Sequence, residues 1–172
     1  SAPRAEAGVF PTLVPLGHPL AAVRRQYNAL LVHTASAGDL MFYGQGAGAG
    51  PTASAVVADV FVLARDIRGG LPGAAAASRR LLLTSPDRAV SSYYLRIEVL
   101  DRPGALARIA DALADAGVSI AAIHQEPVAG RRSVPVMIVT HPASRGAFNR
   151  ARKRITSLAS VKPSHCAMRM MA

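Results

Sequence analysis

From residue 93 to residue 100 the chain alternates. Tyr93, Leu95, Ile97 and Val99 make one side apolar, while Tyr94, Arg96, Glu98 and Leu100 make the other side mixed. A period of two over eight residues predicts a strand with one face buried. The period then becomes helical: Leu106, Ile109, Ala110 and Leu113 fall at i, i+3, i+4 and i+7, with Arg108, Asp111 and Asp115 turned away. Between the two stands Asp101-Arg-Pro-Gly104, where the Asp101 carboxylate is expected to cap the helix and Pro103 to sit where a missing N–H costs nothing. Gly117 is expected to end the helix as a left-handed C′ residue.

The pattern continues in the same style. Residues 118–128 read as a second strand, 129–132 as a polar hairpin turn and 134–140 (VPVMIVT) as a third strand. Ser144 opens a second helix with Phe148, Ala151, Ile155 and Leu158 on its buried side, and residues 161–171 are long enough for a last strand. The order β-α-β-β-α-β predicts a ferredoxin-like layer of two helices on four strands.

The first half is patterned differently. Residues 9–16 (VFPTLVPL) are apolar but interrupted by Pro11 and Pro15, as in an edge or terminal strand. Residues 19–25 suit a short helix, and 28–33 (NALLVH) with 39–43 (DLMFY) suit a strand pair. The second of these runs into Gly44-Gln-Gly-Ala-Gly-Ala-Gly50. Pro51 then falls in the first turn of a helix that places Val56, Val57, Val60, Ala64 and Ile67 on one side and leaves Asp59 and Asp66 more exposed. Residues 68–92 have the glycine- and alanine-rich composition of a hinge-like linker, with 81–83 able to pair as a short strand.

At 172 residues the chain has room for one or two small domains. Hydrophobic residues make up 51%, yet no run approaches the roughly 20 apolar residues that span a bilayer, so no membrane partner is expected. The N-terminus lacks a secretory layout and Cys166 is the single cysteine, which fits a cytoplasmic setting and excludes an intrachain disulfide. The five histidines lack H-x-x-x-H and H-E-x-x-H spacing, so no metal site is expected, and no G-x-S-x-G elbow is present. The net charge of +10 includes a cluster on the second helix of residues 93–172: Arg145, Arg150, Arg152, Lys153 and Arg154. A phosphate-binding surface would use such residues. With no Trp and no ribonucleoprotein motif, a solvated helix face is favoured and no nucleic-acid partner is expected.

The glycine run is G-x-G-x-G-x-G, not the dinucleotide fingerprint G-x-G-x-x-G, and no acidic residue closes a 30-residue unit after it. Strand, glycine turn and helix start still expose N–H groups suited to an anion or a close-lying cofactor. A tight turn where a helix packs on a sheet explains the same residues, and the chemistry leaves both readings open.

Residues 93–172 resemble an ACT domain, an amino-acid-sensing module, through DRPGALARIA, VSIAAIHQ and VMIVTH. The whole chain resembles the C-terminal part of homoserine dehydrogenase through FPTLVPLGHPLAAVRRQYNALLVH and GDLMFYGQGAGAGPTASAVVADV. That family's G-x-G-A-G-x-x-P-T-A-S-A-V-x-x-D pattern has its counterpart in residues 44–59. The resemblance implies an α+β chain: a partial α/β catalytic-domain segment (1–67), a linker (68–92) and a ferredoxin-like ACT domain (93–172). It implies NADP or NAD as cofactor, approached by Gly46 and Gly48 but held only with a Rossmann domain that this chain does not contain. Catalytic residues are expected in that missing N-terminal part, so the chain alone is expected to be inactive; its only lysines, Lys153 and Lys162, fall in the ACT region. It also implies homo-oligomers through side-by-side ACT pairing and an amino-acid effector, threonine, bound by Asp101, Arg102, Pro103, Gly104 and Ala105 together with Ile123, His124 and Gln125. For His124 packing, solvent exposure and a ligand role stay open, as does a purely oligomerising ACT domain. A stand-alone ACT regulator without catalysis is the alternative function.

Overall fold

The computed structural model describes residues 4–69, 81–126 and 130–171. In chain order its elements are β1 (Arg4–Ala5), β2 (Thr12–Leu13), a 3-10 turn (Pro19–Ala22), β3 (Tyr27–Thr34), β4 (Gly38–Gln45), α1 (Ala49–Gly69), β5 (Leu82–Leu83) and a second 3-10 turn (Pro86–Arg88). Then come β6 (Val90–Leu100), α2 (Ala105–Asp115), β7 (Ile120–Gln125), β8 (Ser133–Thr140), β9 (Ala143–Ser144), α3 (Arg145–Thr156) and β10 (Val161–Met170). The fold is α+β, as the pattern predicts. Residues 70–80, most of the glycine- and alanine-rich run, 127–128, the end of the predicted second strand, and 129, the start of the expected hairpin turn, lie outside the described residues. The chain divides into two compact units, Val14–Arg79 and a larger one made of Ser1–Leu13 with Arg80–Ala172.

In the larger unit the strands run β2-β10-β6-β8-β7, with β9 paired to β6. The four long strands are antiparallel neighbours in the ferredoxin-like order, and β2 adds in parallel to the outer edge of β10. The alternation in β6 is realised: Tyr93, Leu95, Ile97 and Val99 are buried and meet Val134, Val136 and Ile138 of β8. Both helices cover this face. From α3 come Ala147, Phe148, Ala151 and Ile155, with Leu158 packed at the margin, and the Phe148 ring stacks on Tyr93 at 4.1 Å. Ser144 caps α3, its hydroxyl accepting the N–H of Ala147 at 3.3 Å.

Two details of the first turn depart from the sequence expectation. Asp101 does not cap α2. Its own N–H is tied to the Arg132 carbonyl at 3.0 Å, so the chain leaves the sheet late, and the N-cap is Gly104, which makes no side-chain cap bond. The buried stripe of α2 is Ala105, Ile109, Ala112 and Leu113, rotated from the predicted one: Leu106 is 37% exposed and Ala110 only half-buried. The end of α2 is as expected. Gly117 (φ +75°) donates to Ala114 at 2.9 Å and Val118 to Leu113 at 2.9 Å, a Schellman closure. Because the Val118 N–H is used there, β7 starts only at Ile120, later than the predicted 118.

In the smaller unit β3 and β4 form an antiparallel hairpin from Tyr27↔Gln45 to Thr34↔Gly38, and α1 follows. The stripe expected to be buried on α1 is not. No residue of the helix is buried: Val57 is 52% exposed and Ile67 80%, while Asp66, expected outside, is half-buried. One hairpin and one helix supply no opposing layer to enclose those side chains. Among the described residues no helix is long and apolar enough to cross a membrane.

Candidate functional site

The D-R-P-G turn forms the mouth of a cleft of about 480 Å³. Its walls are the end of β6 (Val99, Leu100), the turn itself (Asp101, Arg102, Pro103, Gly104), the first turn of α2 (Ala105, Leu106, Ala107), and Gln125 and Val134 from the adjacent strands. Gly104 makes this possible. At φ +79° it swings the chain from the sheet into the helix, a conformation that L side chains adopt only at a cost. The Ala105 N–H is spent on the Arg102 carbonyl at 3.2 Å, and the first helical bond runs from Arg108 to Gly104 at 3.3 Å. The N–H groups of Leu106 and Ala107 face no earlier turn of helix, which leaves the helix start a place for a carboxylate.

Of the residues expected here, Asp101, Arg102, Pro103, Gly104, Ala105 and Gln125 share the cleft; Ile123 and His124 do not line it. The pleat separates them. Gln125 is registered with the buried Val136, on the helix side of the sheet, whereas His124 is registered with Met137, on the other side. His124 instead meets Glu126 at 3.1 Å in an exposed pair. Ile123 shares the side of Gln125 but lies two residues further along the strand and is 47% exposed. Val134 was not anticipated; the signal is register, since it pairs directly with Val99 at the end of β6.

The second candidate is the glycine turn between β4 and α1. The Gly46 N–H donates to the Gln26 carbonyl at 2.8 Å, and a Cβ on Gly46 would lie 1.8 Å from the Asn28 side-chain nitrogen. Gly48 has φ +127° and accepts the Thr52 N–H at 3.1 Å, so it is the last residue before the helical ladder of α1. Gly48 therefore needs glycine for its dihedral, and Gly46 has no room for a side chain while Asn28 keeps its place; together they present a bare main-chain edge at a helix start. Gly46 and Gly48 would hold a cofactor ring there, and when bound it would supply or accept a hydride.

Elsewhere the basic residues of α3 are partly paired: Arg154 contacts Asp115 at 2.7 Å and Arg152 contacts the His165 ring at 3.2 Å. Burial pushes the Tyr93 phenol above its ordinary value of 10.0, against the opposing pull of the nearby Arg169 and Arg145.

A β-α-β-β-α-β layer with a glycine-hinged cleft between its first strand and helix defines an ACT domain, a small amino-acid-binding module, and residues 93–159 match the ACT domain family. Residues 2–61 match the homoserine dehydrogenase family. The chain is 43% identical over 151 residues to the homoserine dehydrogenase of Mycobacterium tuberculosis, a match covering 85% of this chain and 34% of that protein. It is 36% identical over 165 residues to that of Corynebacterium glutamicum, covering 95% and 37%. The crystal structure of a homoserine dehydrogenase from Thiobacillus denitrificans superimposes with a TM-score of 0.78 at 31% identity, over 96% of this chain and 39% of that one. The chain belongs to the homoserine dehydrogenase family, a family of oxidoreductases, and corresponds to a C-terminal portion of it with an ACT domain. It spans 34% to 37% of the length of these two relatives.

Proposed function

We propose that this chain is the cofactor-closing and regulatory part of an NAD(P)-dependent homoserine dehydrogenase, which interconverts L-homoserine and L-aspartate 4-semialdehyde. In this reading Gly46 and Gly48 close over the nicotinamide cofactor, NADP or NAD, while the groups that orient substrate and move its proton lie outside these 172 residues. The chain by itself is then inactive, because hydride transfer needs both reactants and a proton carrier in near-attack geometry. The ACT domain binds an amino-acid effector, threonine, in the cleft of residues 101–105 and Gln125, and pairs with a second copy.

The observation that supports the reading is the cleft: one glycine-hinged turn brings a helix start and the Gln125 side chain to a single concavity with room for a small molecule. The exposed apolar side of α1 supports the enzyme reading over a stand-alone regulator, since Val56, Val60, Phe61 and Leu63 are each more than half exposed and need further polypeptide to cover them. The test is calorimetric titration of the 172-residue chain with L-threonine, with L-lysine and L-methionine as controls. Saturable heat with threonine, weakened at least about tenfold by Gln125→Ala, is expected. Equal behaviour of Gln125→Ala and the parent chain would overturn the assignment of this cleft. Steady turnover of homoserine and NADP by the purified chain would overturn the assignment of the catalytic groups elsewhere.

A further inference from the structure

The larger unit has a second cavity, of about 640 Å³, at the other end of β6. One wall is the sheet: Ser91 of β6 and Arg169 and Met170 of β10. The opposite wall is the N-terminal segment, with Glu6, Phe10 and Thr12. We propose that this cavity binds a free, zwitterionic α-amino acid, with its carboxylate on Arg169 and its ammonium on Glu6.

The two charges form a long ion pair with no hydrogen bond between them. Arg169 Nη1 and Glu6 Oε1 are 3.7 Å apart, beyond the length of an N–H···O bond. Among the described residues Glu6 accepts no hydrogen bond, and Arg169 donates one only through Nε, to the Ser91 hydroxyl at 3.1 Å. Ser91 in turn donates to the Met170 carbonyl at 3.0 Å, so it fixes the direction of the guanidinium; among the described residues the terminal nitrogens make no hydrogen bond, and Nη1 meets Glu6 only as the 3.7 Å ion pair. A simple anion meets Glu6 and a simple cation meets Arg169; a molecule carrying both charges one carbon apart satisfies both. Phe10 and Met170 give its side chain an apolar wall, and the Phe10 ring is itself steadied by the guanidinium of Arg145, 4.9 Å from its centre. The cavity is separate from the D-R-P-G cleft: Ser91 and Val99 are eight residues apart on one strand, about 26 Å.

This site is assembled from two parts of the sequence. Residues 6–12 lie in the stretch that matches the homoserine dehydrogenase family, and Ser91 and Arg169 flank the stretch, 93–159, that matches the ACT domain family. The segment is held by β2 on β10 (Thr12↔Arg169, Leu13↔Met170) and by β1 on β5. A bound amino acid adds to these contacts and stabilises the attached arrangement over any detached one by its differential affinity.

The experiment is equilibrium binding to the 172-residue chain of glycine, L-threonine, L-methionine and L-lysine, with hydrogen exchange read separately for residues 4–13 and 101–107. At least one amino acid is expected to slow exchange in residues 4–13. Its carboxamide and its N-acetyl derivative, each lacking one charge, should bind at least about tenfold more weakly, as should the parent amino acid to Glu6→Gln and to Arg169→Gln. The two derivatives keep the test independent of whether the variants hold the N-terminal segment in place. Gln125→Ala should leave the protection of residues 4–13 unchanged. Protection confined to 101–107 overturns the second site and leaves the first standing. No protection of 4–13 by any of the four, or carboxamide and N-acetyl forms that bind as tightly as the parent amino acid, overturns it as well.

Discussion

Gly104→Ala isolates the backbone demand at the cleft. A Cβ built on Gly104 meets nothing within 4 Å, so the substitution creates no clash, and the whole effect comes from φ +79°. Holding an L side chain in the left-handed region costs about 1–2 kcal/mol. A smaller term opposes it, since alanine restricts the unfolded chain, but at a position with φ > 0 the strain exceeds that gain. A net loss of about 1 kcal/mol lowers the unfolding midpoint of a domain of this size by roughly 4–8 °C. Gly104→Asn should lose less than Gly104→Ala, because asparagine visits this region more readily. The assay is thermal unfolding of the full chain, with amide protection in β6 and β8 reporting the ACT domain apart from residues 14–79. A Gly104→Ala midpoint equal to or above that of the parent, or a Gly104→Asn loss larger than that of Gly104→Ala, would refute the left-handed turn as the feature that shapes the cleft.

Leu113→Ala removes a side chain that is fully buried under the sheet and should cost about 2–5 kcal/mol, measured by urea unfolding; a loss under 1 kcal/mol would contradict its place in the core. Ser160 is 1% exposed and its hydroxyl has no partner among the described residues, so Ser160→Ala should leave the midpoint unchanged or raise it, whereas a clear fall would reveal a water holding that hydroxyl. Tyr93 has a raised pKa in the folded chain, so the unfolded chain releases this proton first. Its contribution is complete below about pH 10 and is lost as pH rises through the folded value. Tyr93→Phe should therefore flatten the decline of the midpoint above pH 10, and an unchanged decline would assign it to other groups.

The larger unit was legible because its signals are local and mutually consistent. Alternation in residues 93–100, the glycine after α2 and the serine before α3 each specify an element without knowledge of the rest. What escaped notice depends on partners distant in sequence. The capping role expected for Asp101 fails because α2 starts only at Ala105, with Gly104 as its N-cap, which leaves Asp101 three residues before the cap position. His124 and Gln125 are neighbours in sequence and opposites in the sheet, a distinction that register makes and composition does not. The pairing of β2 with β10 joins Thr12 to Arg169, and no periodicity in either segment announces it.

The smaller unit teaches a different lesson about the same kind of signal. Val56, Val57, Val60 and Ile67 have the spacing of a buried stripe, and all four are more than half exposed. Spacing records the face a helix is selected to cover, not whether the covering layer is at hand. Here a hairpin and a helix offer too little surface, and marginal stability follows, since exposed valine, leucine and phenylalanine forgo about 25 cal/mol for each Å² left in water. The glycine turn between them is nevertheless well defined: Gly46 is packed against Asn28, and Gly48 carries a dihedral that a side chain would strain. In the function proposed above this turn closes over a cofactor, and a turn held this closely suits that role because its shape precedes the arrival of whatever it closes over. The apolar side of α1 and the glycine edge thus point to one conclusion from independent physics: both are surfaces shaped for polypeptide or ligand that residues 14–79 do not supply.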